Sequence, residues 1–202
     1  GSSTSQLVLQ IPSLDHEAVN SYTLLIGVKD NGVPALEGRG TVVVEIVDVN
    51  ETPKMLVRQI VYKIFECQLC PENDIIGTVL ATDRDDPSQH YGNLVFSIAK
   101  VLPGLIDYAD ENSVAAWKTE EVNSDRFRLT TSTERNVAGA ILGYVGQLRY
   151  GTLPFDYEGA ENIWHLSIIV ADMAGAVDTS MQDSADLYIR LRDVNEAPQM
   201  TT

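Results

Sequence analysis

Along most of this chain apolar residues either alternate with polar ones or gather in short β-branched runs. Tyr22-Thr23-Leu24-Leu25-Ile26-Gly27-Val28 and Thr41-Val42-Val43-Val44-Glu45-Ile46-Val47 are two such runs, rich in the residue types that fit a pleated surface. Between them lies Asp30-Asn31-Gly32-Val33-Pro34, a turn-forming cluster, so the pair predicts a β-hairpin. The signature returns further along, at Ile163 to Val170 and Ala185 to Arg192, where Leu187, Ile189 and Leu191 alternate with Tyr188, Arg190 and Arg192. That is the period of a half-buried strand, and the 3.6-residue helical period is missing from it. Pro103-Gly104 and Asp110-Glu111-Asn112-Ser113 read as loop,.

The strand runs belong to a repeat. Asp48-Val49-Asn50-Glu51-Thr52-Pro53 and Asp193-Val194-Asn195-Glu196-Ala197-Pro198 each close one stretch of alternation. Upstream, Leu14-Asp15-His16-Glu17 is matched by Phe155-Asp156-Tyr157-Glu158, and Val28-Lys29-Asp30-Asn31-Gly32 by Val170-Ala171-Asp172-Met173-Ala174-Gly175. From Asp15 to Asp48 is 33 residues and from Asp156 to Asp193 is 37; from Asp30 to Asp48 is 18 and from Asp172 to Asp193 is 21. Three ordered landmarks at similar spacing are the mark of an internal repeat.

These landmarks resemble the motifs of the extracellular cadherin repeat, which read PEN, DxD, LDxE, ADxxG and DxNDNxP, and the resemblance spans residues 13–200. It implies an all-β fold of tandem Greek-key β-sandwiches, each of seven strands and about 100 residues, strung end to end with calcium at the junctions. On this reading residues 1–53 are the C-terminal part of one repeat with its calcium linker, and residues 54–198 are a complete, enlarged repeat with its C-terminal linker. The first part has only three or four strands' worth of chain, too little to bury a sandwich core alone. The second exceeds the usual repeat length, and Leu56 to Cys70 and Lys100 to Ser124 are the stretches expected to absorb the excess as insertions,.

The charge takes on meaning against that background. The chain of 202 residues carries 29 acidic and 14 basic side chains, a net charge of −15, which argues against nucleic-acid binding and for either solubility or cation binding. Ten carboxylates sit at the repeated landmarks (Asp15, Glu17, Glu51, Glu72, Asp83, Asp85, Asp156, Glu158, Asp172 and Glu196), leaving 19 acidic against 14 basic elsewhere. Acid concentrated in this way calls for a counter-ion.

Calcium, a hard cation, takes six to eight oxygens from carboxylates, amides and carbonyls. Carried over from the family residue by residue, Asp83, Asp85, Asp172, the Asn50 side chain and the Thr52 carbonyl make the outermost site, with Tyr91 at the position of a further carbonyl and Asn93 two places on. Two neighbouring sites take Asp15, Glu17, the Val49 carbonyl, Glu51 and Asp85. At the C-terminal linker Glu72 of Pro71-Glu72-Asn73, Asp156, Glu158, the Val194 carbonyl and Glu196 form half of a site, and Asn195 and the Ala197 carbonyl await a following repeat. Glu51 and Glu196 stand where the family has Asp, and Thr52 and Ala197 where it has Asn. The extra methylene alters reach but keeps charge, and the expected affinity is that of extracellular modules, about 10⁻⁴ to 10⁻³ M.

Other chemistry is thinly represented. Cys67 and Cys70 form a CxxC pair; zinc needs four ligands and no second pair exists, and a βαβ redox context is missing. A local disulfide needs a turn there, because three steps along a straight strand exceed the Cα separation a disulfide spans; free or otherwise paired thiols are the alternatives. Asn50-Glu51-Thr52 is a glycosylation sequon,, but the calcium reading claims the same side chain. His16, His90 and His165 are scattered, no nucleophile has a motif around it, and Asp156 and Glu158 are better accounted for by the linker than by glycosidase chemistry,. Both tryptophans are expected to serve packing, with Trp117, in the second insertion, the one open to exposure.

The resemblance implies a non-enzymatic, calcium-dependent adhesion or mechanical module from the extracellular part of a single-pass plasma-membrane protein. Its implied partners are other cadherin ectodomains, homophilic or heterophilic, and adjacent repeats of the parent chain. The parent is expected to supply the signal peptide and the membrane span, neither of which is legible here. An alternative is an accessory calcium-binding module of a secreted bacterial or carbohydrate-active protein, which glycan binding would distinguish.

Overall fold

The computed structural model describes residues 4–10, 13–85, 92–106, 114–117, 125–173 and 180–197. Every regular element among them is a strand, and no helix is long and apolar enough to cross a membrane. The chain forms two compact units, divided after Asn50.

The first unit contains the expected hairpin, β1 (Ser21–Lys29) and β2 (Glu37–Glu45), antiparallel with Ser21 opposite Glu45 and Lys29 opposite Glu37. Its register puts Tyr22, Leu24, Ile26 and Val28 on one face with Val44 and Val42, because successive side chains on a strand point to opposite sides. The connecting loop is tied by Asp30, whose Oδ1 accepts the N–H groups of Leu36 (2.8 Å) and Gly32 (3.0 Å). Those two hydrogen bonds hold its carboxyl below the ordinary value.

The second unit is a two-sheet sandwich. One sheet has the order β4 (Gln59–Phe65), β11 (Gln182–Arg192), β10 (Ile163–Asp172), β6 (Leu94–Ile106), β7 (Val114–Trp117); the other runs β3 (Lys54–Met55), β5 (Ile75–Thr82), β9 (Ile141–Tyr150), β8 (Phe127–Arg135). All neighbours are antiparallel except β4 and β11. The Greek-key sandwich expected from the sequence is therefore present, with nine strands among the described residues where seven were expected: the first strand is split into β3 and β4, one on each sheet, and β7 is added at an edge.

Alternation along β10 and β11 builds the core. Leu166, Ile168, Val170, Leu187 and Ile189 are fully buried, while His165, Ser167, Tyr188 and Arg190 turn outward. Facing them are Val79, Ala81, Tyr144 and Leu148, with Phe96, Phe127, Phe155 and Trp164. Phe155 and Trp164 meet edge to face with centroids 5.1 Å apart, a favoured aromatic geometry. Each fully buried aliphatic side chain contributes about 1.5–3 kcal/mol relative to exposure. The sheets approach closely at Gly146, where a Cβ would lie 2.7 Å from Val79 Cγ2 and 2.8 Å from the Phe96 ring.

Two expectations are corrected. Leu56 to Cys70 is not an insertion: it contains β4, whose Ile60, Tyr62 and Ile64 pack against the core. Lys100 to Ile106 continues β6 and Val114–Trp117 is β7, so Pro103-Gly104 lies in a strand rather than a loop. Pro103 stands opposite Trp164 of β10, and among the described residues pairing with β7 starts at Gly104. The rest of that stretch lies outside the described residues. Trp117 is partly buried and packs on His165 and Tyr188, with centroids 5.8 and 6.1 Å away.

Candidate metal centre

Among the described residues carboxylates gather in three places, in turns and just beyond the ends of strands. In the first unit the turn after Leu14 brings the His16 ring nitrogen Nδ1 to 3.2 Å from Glu17 and 3.5 Å from Asp48. Asp15 caps the same turn, its Oδ1 accepting Ala18 N–H at 3.2 Å. Val49 is exposed and Asn50 is buried.

At one end of the sandwich, β5 runs into Asp83-Arg84-Asp85 and β10 ends on Asp172. Asp85 is only 3 % exposed and Asp172 only 4 %, a costly placement for charge unless it is compensated. Part of that compensation comes from backbone N–H groups. Asp83 Oδ1 accepts the Asp85 N–H (3.2 Å), Asp85 Oδ2 accepts the Glu51 N–H (3.1 Å), and both Asp172 oxygens face the Met181 N–H (3.0 and 3.1 Å). Asp83 Oδ2 and Asp85 Oδ1 are buried with no hydrogen-bond partner among the described residues. Asp83, Asp85, Gly92 and the stretch Ile141–Tyr144 line a cavity of about 40 Å³. Desolvation, with the charge of Asp85 adding to it, pushes the Asp83 carboxyl up to about 6. Thr52 contributes a hydroxyl contact to Met181 sulfur at 3.2 Å. Tyr91 lies outside the described residues; Asn93 precedes β6, its backbone carbonyl accepting the Met173 N–H at 3.0 Å.

At the opposite end of the sandwich, Glu66, Glu158 and Asp193 bring carboxylate oxygens within 4.8 Å of one another. Glu66 is the organiser. Its Oε2 accepts the Tyr157 N–H at 2.9 Å, its Oε1 the Val194 N–H at 2.5 Å, and its own N–H donates to the Arg192 carbonyl at 3.1 Å. A hydrogen bond from its own backbone lowers the Glu158 pKa, but desolvation and the neighbouring charges of Glu66, Asp193 and Glu196 outweigh it, so the carboxyl titrates above its ordinary value. Asn195, Glu196 and Ala197 follow on an exposed tail, and Asp156 is exposed beside the cluster. Glu72 is not brought here: it pairs with Arg128 at 3.0 Å, in a turn where Asn73 adopts a left-handed φ of 68°.

The sequence reading named Glu158, Val194 and Glu196 at this end but missed Glu66 and, as a ligand candidate, Asp193. The signal lay in the strand register. Phe65 is opposite Arg192 in the parallel β4–β11 pair, so the next residue of each strand, Glu66 and Asp193, must emerge side by side. Asp48 and His16 of the first unit were likewise passed over. Cys67 and Cys70 are joined in a disulfide, Cα–Cα 5.1 Å, across a bend at Gln68-Leu69, as the local alternative required.

The donors on offer at these places are hard oxygens, and the partnerless buried pair on Asp83 and Asp85 opens on a cavity of ion or water size. That fits calcium and does not fit a soft metal, since the two cysteines are consumed by each other.

No protein-family model matches the chain. It is 37% identical to protocadherin-7 of Homo sapiens over 96 residues, 46% of this chain and 8% of that protein, and 34% identical to cadherin-18 of Bos taurus over 73 residues, 36% and 9% respectively. It thus spans less than a tenth of the length of these relatives. Among solved structures, extracellular cadherin domains 1–5 of protocadherin gamma B2 superpose with a TM-score of 0.61 at 18% identity over 91% of this chain and 28% of that one. Domains EC1–2 of human protocadherin-24 give 0.59 at 21% over 91% and 70%. The cis-dimer structure of protocadherin gammaB7 EC3–6 gives 0.57 at 18% over 89% and 34%. At these identities the structural likeness speaks to the fold.

Proposed function

The chain belongs to the cadherin superfamily and is built of its extracellular repeats, and from that premise we propose that it is a calcium-dependent adhesion and mechanical module, not an enzyme. The observation that carries this reading is the pair of buried carboxylate oxygens, Asp83 Oδ2 and Asp85 Oδ1, that no described group satisfies. A native fold keeps such groups only where something else satisfies them. Asp83, Asp85, Asp172, Asn50 and the Thr52 carbonyl would hold calcium at the linker motif, joined by Asp15, Glu17, Val49, Glu51 and Tyr91. Glu66, Asp156, Glu158, Asp193, Val194, Asn195, Glu196 and Ala197 would hold it at the C-terminal linker. Bound calcium supplies positive charge that offsets the repulsion among these groups, and the string of tandem repeats stiffens as a result. The partners of such a module are other cadherin ectodomains, in an extracellular, membrane-anchored parent.

Thermal unfolding in calcium and in chelator tests it. At about 10 mM calcium, sites with dissociation constants of about 10⁻⁴ to 10⁻³ M stabilise the folded state by about 1.4–2.7 kcal/mol each, which for a chain of this size raises Tm by several degrees. Asp83→Ala removes that rise at its own site. An unchanged Tm in the wild-type chain rejects the calcium reading.

A further inference from the structure

The Cys67–Cys70 disulfide lies directly against the residue that organises the C-terminal carboxylates, and nothing in the calcium reading requires it. We propose that it is a redox-sensitive positioning device: it fixes the backbone that carries Glu66, and so makes the cation affinity of this end of the repeat depend on the oxidation state of the pair. The affinity half of the proposal rests on the calcium reading above; the positioning half does not.

The geometry is as follows. Strand β4 ends at Phe65, and Glu66 takes one further rung of the parallel ladder through its N–H to the Arg192 carbonyl. The chain then leaves that strand. Cys67 forms an isolated antiparallel bridge with Phe155, N–H to carbonyl in both directions at 2.9 and 3.0 Å. Phe155 opens the segment Asp156-Tyr157-Glu158, so this one bridge sets how Glu66 faces Glu158 and the Tyr157 N–H. Immediately beyond, the chain doubles back and Cys70 closes on Cys67. Both cysteines are partly buried against the core, whereas Leu69 at the tip is 96 % exposed and anchors nothing by packing.

Opening the disulfide loosens Cys67, the pivot between the ladder and the bridge, and Glu66 sits on that pivot with the carboxylates of Glu158 and Asp193 close by. Repulsion from Glu158 and Asp193 then pushes its carboxylate away from the two N–H groups it accepts,. Outer-shell groups that orient a ligand in this way alter metal affinity by about tenfold or more when removed. Reduction by a dithiol breaks the S–S bond; two electrons and two protons pass to the cysteines, giving two thiols, and the reductant leaves as its cyclic disulfide.

The test compares the oxidised chain, the chain held in dithiothreitol, and a Cys67→Ser/Cys70→Ser variant. Amide hydrogen exchange is followed at Tyr157 and Val194, the two N–H groups on Glu66, and calcium titration calorimetry is run with Glu158→Gln to mark which binding belongs to this end. Faster exchange at both amides in the reduced and serine forms is expected, with exchange at core amides such as Leu166 unchanged. Calcium affinity at this end is expected to fall about tenfold, while binding that depends on Asp83 stays as it was. Unchanged exchange at Tyr157 and Val194 overturns the positioning role, whatever calcium does. Faster exchange with an unaltered calcium affinity overturns the redox link. Exchange that responds in a chain whose calcium binding is untouched by Glu158→Gln upholds the positioning role and rejects calcium at this end.

Discussion

Asp83 is where the balance of forces at a single side chain is most exposed to test. Its carboxyl, pushed up to about 6 by desolvation and then by Asp85, is charged at neutral pH against a penalty that the unfolded chain does not feel. For an acid whose pKa is higher in the folded state, the folded form binds the proton more tightly, so stability is lost as pH rises from about 4 through about 6. Asp83→Asn removes the charge at nearly the same size. In chelator the variant should melt higher than wild type at pH 7, with the difference vanishing towards pH 4; in millimolar calcium the order at pH 7 should reverse. A variant less stable than wild type in chelator at pH 7 would contradict the charge argument. Asp83, Asp85 and Asp172 were legible in the sequence because each lies in a local motif. Glu66 was not, because its neighbours come from residues 157, 193 and 194, and only strand pairing brings them to it.

At the level of strands, the alternation of Leu187, Ile189 and Leu191 gave the inward face of β11 directly, and the β1–β2 hairpin announced itself through Asp30 and Gly32. What alternation does not give is the partner of a strand, or whether excess length becomes loop. Gln59–Phe65 alternates well enough, yet its role as one half of a split first strand follows from pairing with β11 at the far end of the sequence. Pro103-Gly104 read as a break because Pro lacks a donor, yet it lies within β6, opposite Trp164 and Ile163 of β10. Two substitutions probe the packing of these strands. Leu166→Ala on β10 should cost about 2–5 kcal/mol, read from chemical denaturation. Gly146→Ala on β9 inserts a methyl against Val79 and Phe96 and should cost about 1–3 kcal/mol; a neutral result would mean that the two sheets part more easily there than their contacts indicate.

For the whole molecule the dominant number is the net charge of −15, with ten of its carboxylates gathered at the repeated landmarks. Self-repulsion of that kind is screened by ordinary salt, since the Debye length falls to about 10 Å at 0.1 M. In chelator, Tm should therefore climb as sodium chloride is raised from low ionic strength, and in saturating calcium the same salt series should have a smaller effect. Equal salt slopes in the two conditions would show that the acid clusters do not limit stability. The β4–β11 pair has a further consequence. Near its two ends the sandwich has two strands that run in the same direction, hydrogen-bonded to each other over seven residues from Gln59 to Phe65. Because they are parallel, a pull that draws the start of one away from the finish of the other slides them lengthwise, and every rung of that ladder is strained together. An antiparallel pair pulled from its open end peels rung by rung, one bond at a time. The same seven residues that hide in the sequence as a plausible loop thus tie the two strands together against lengthwise sliding.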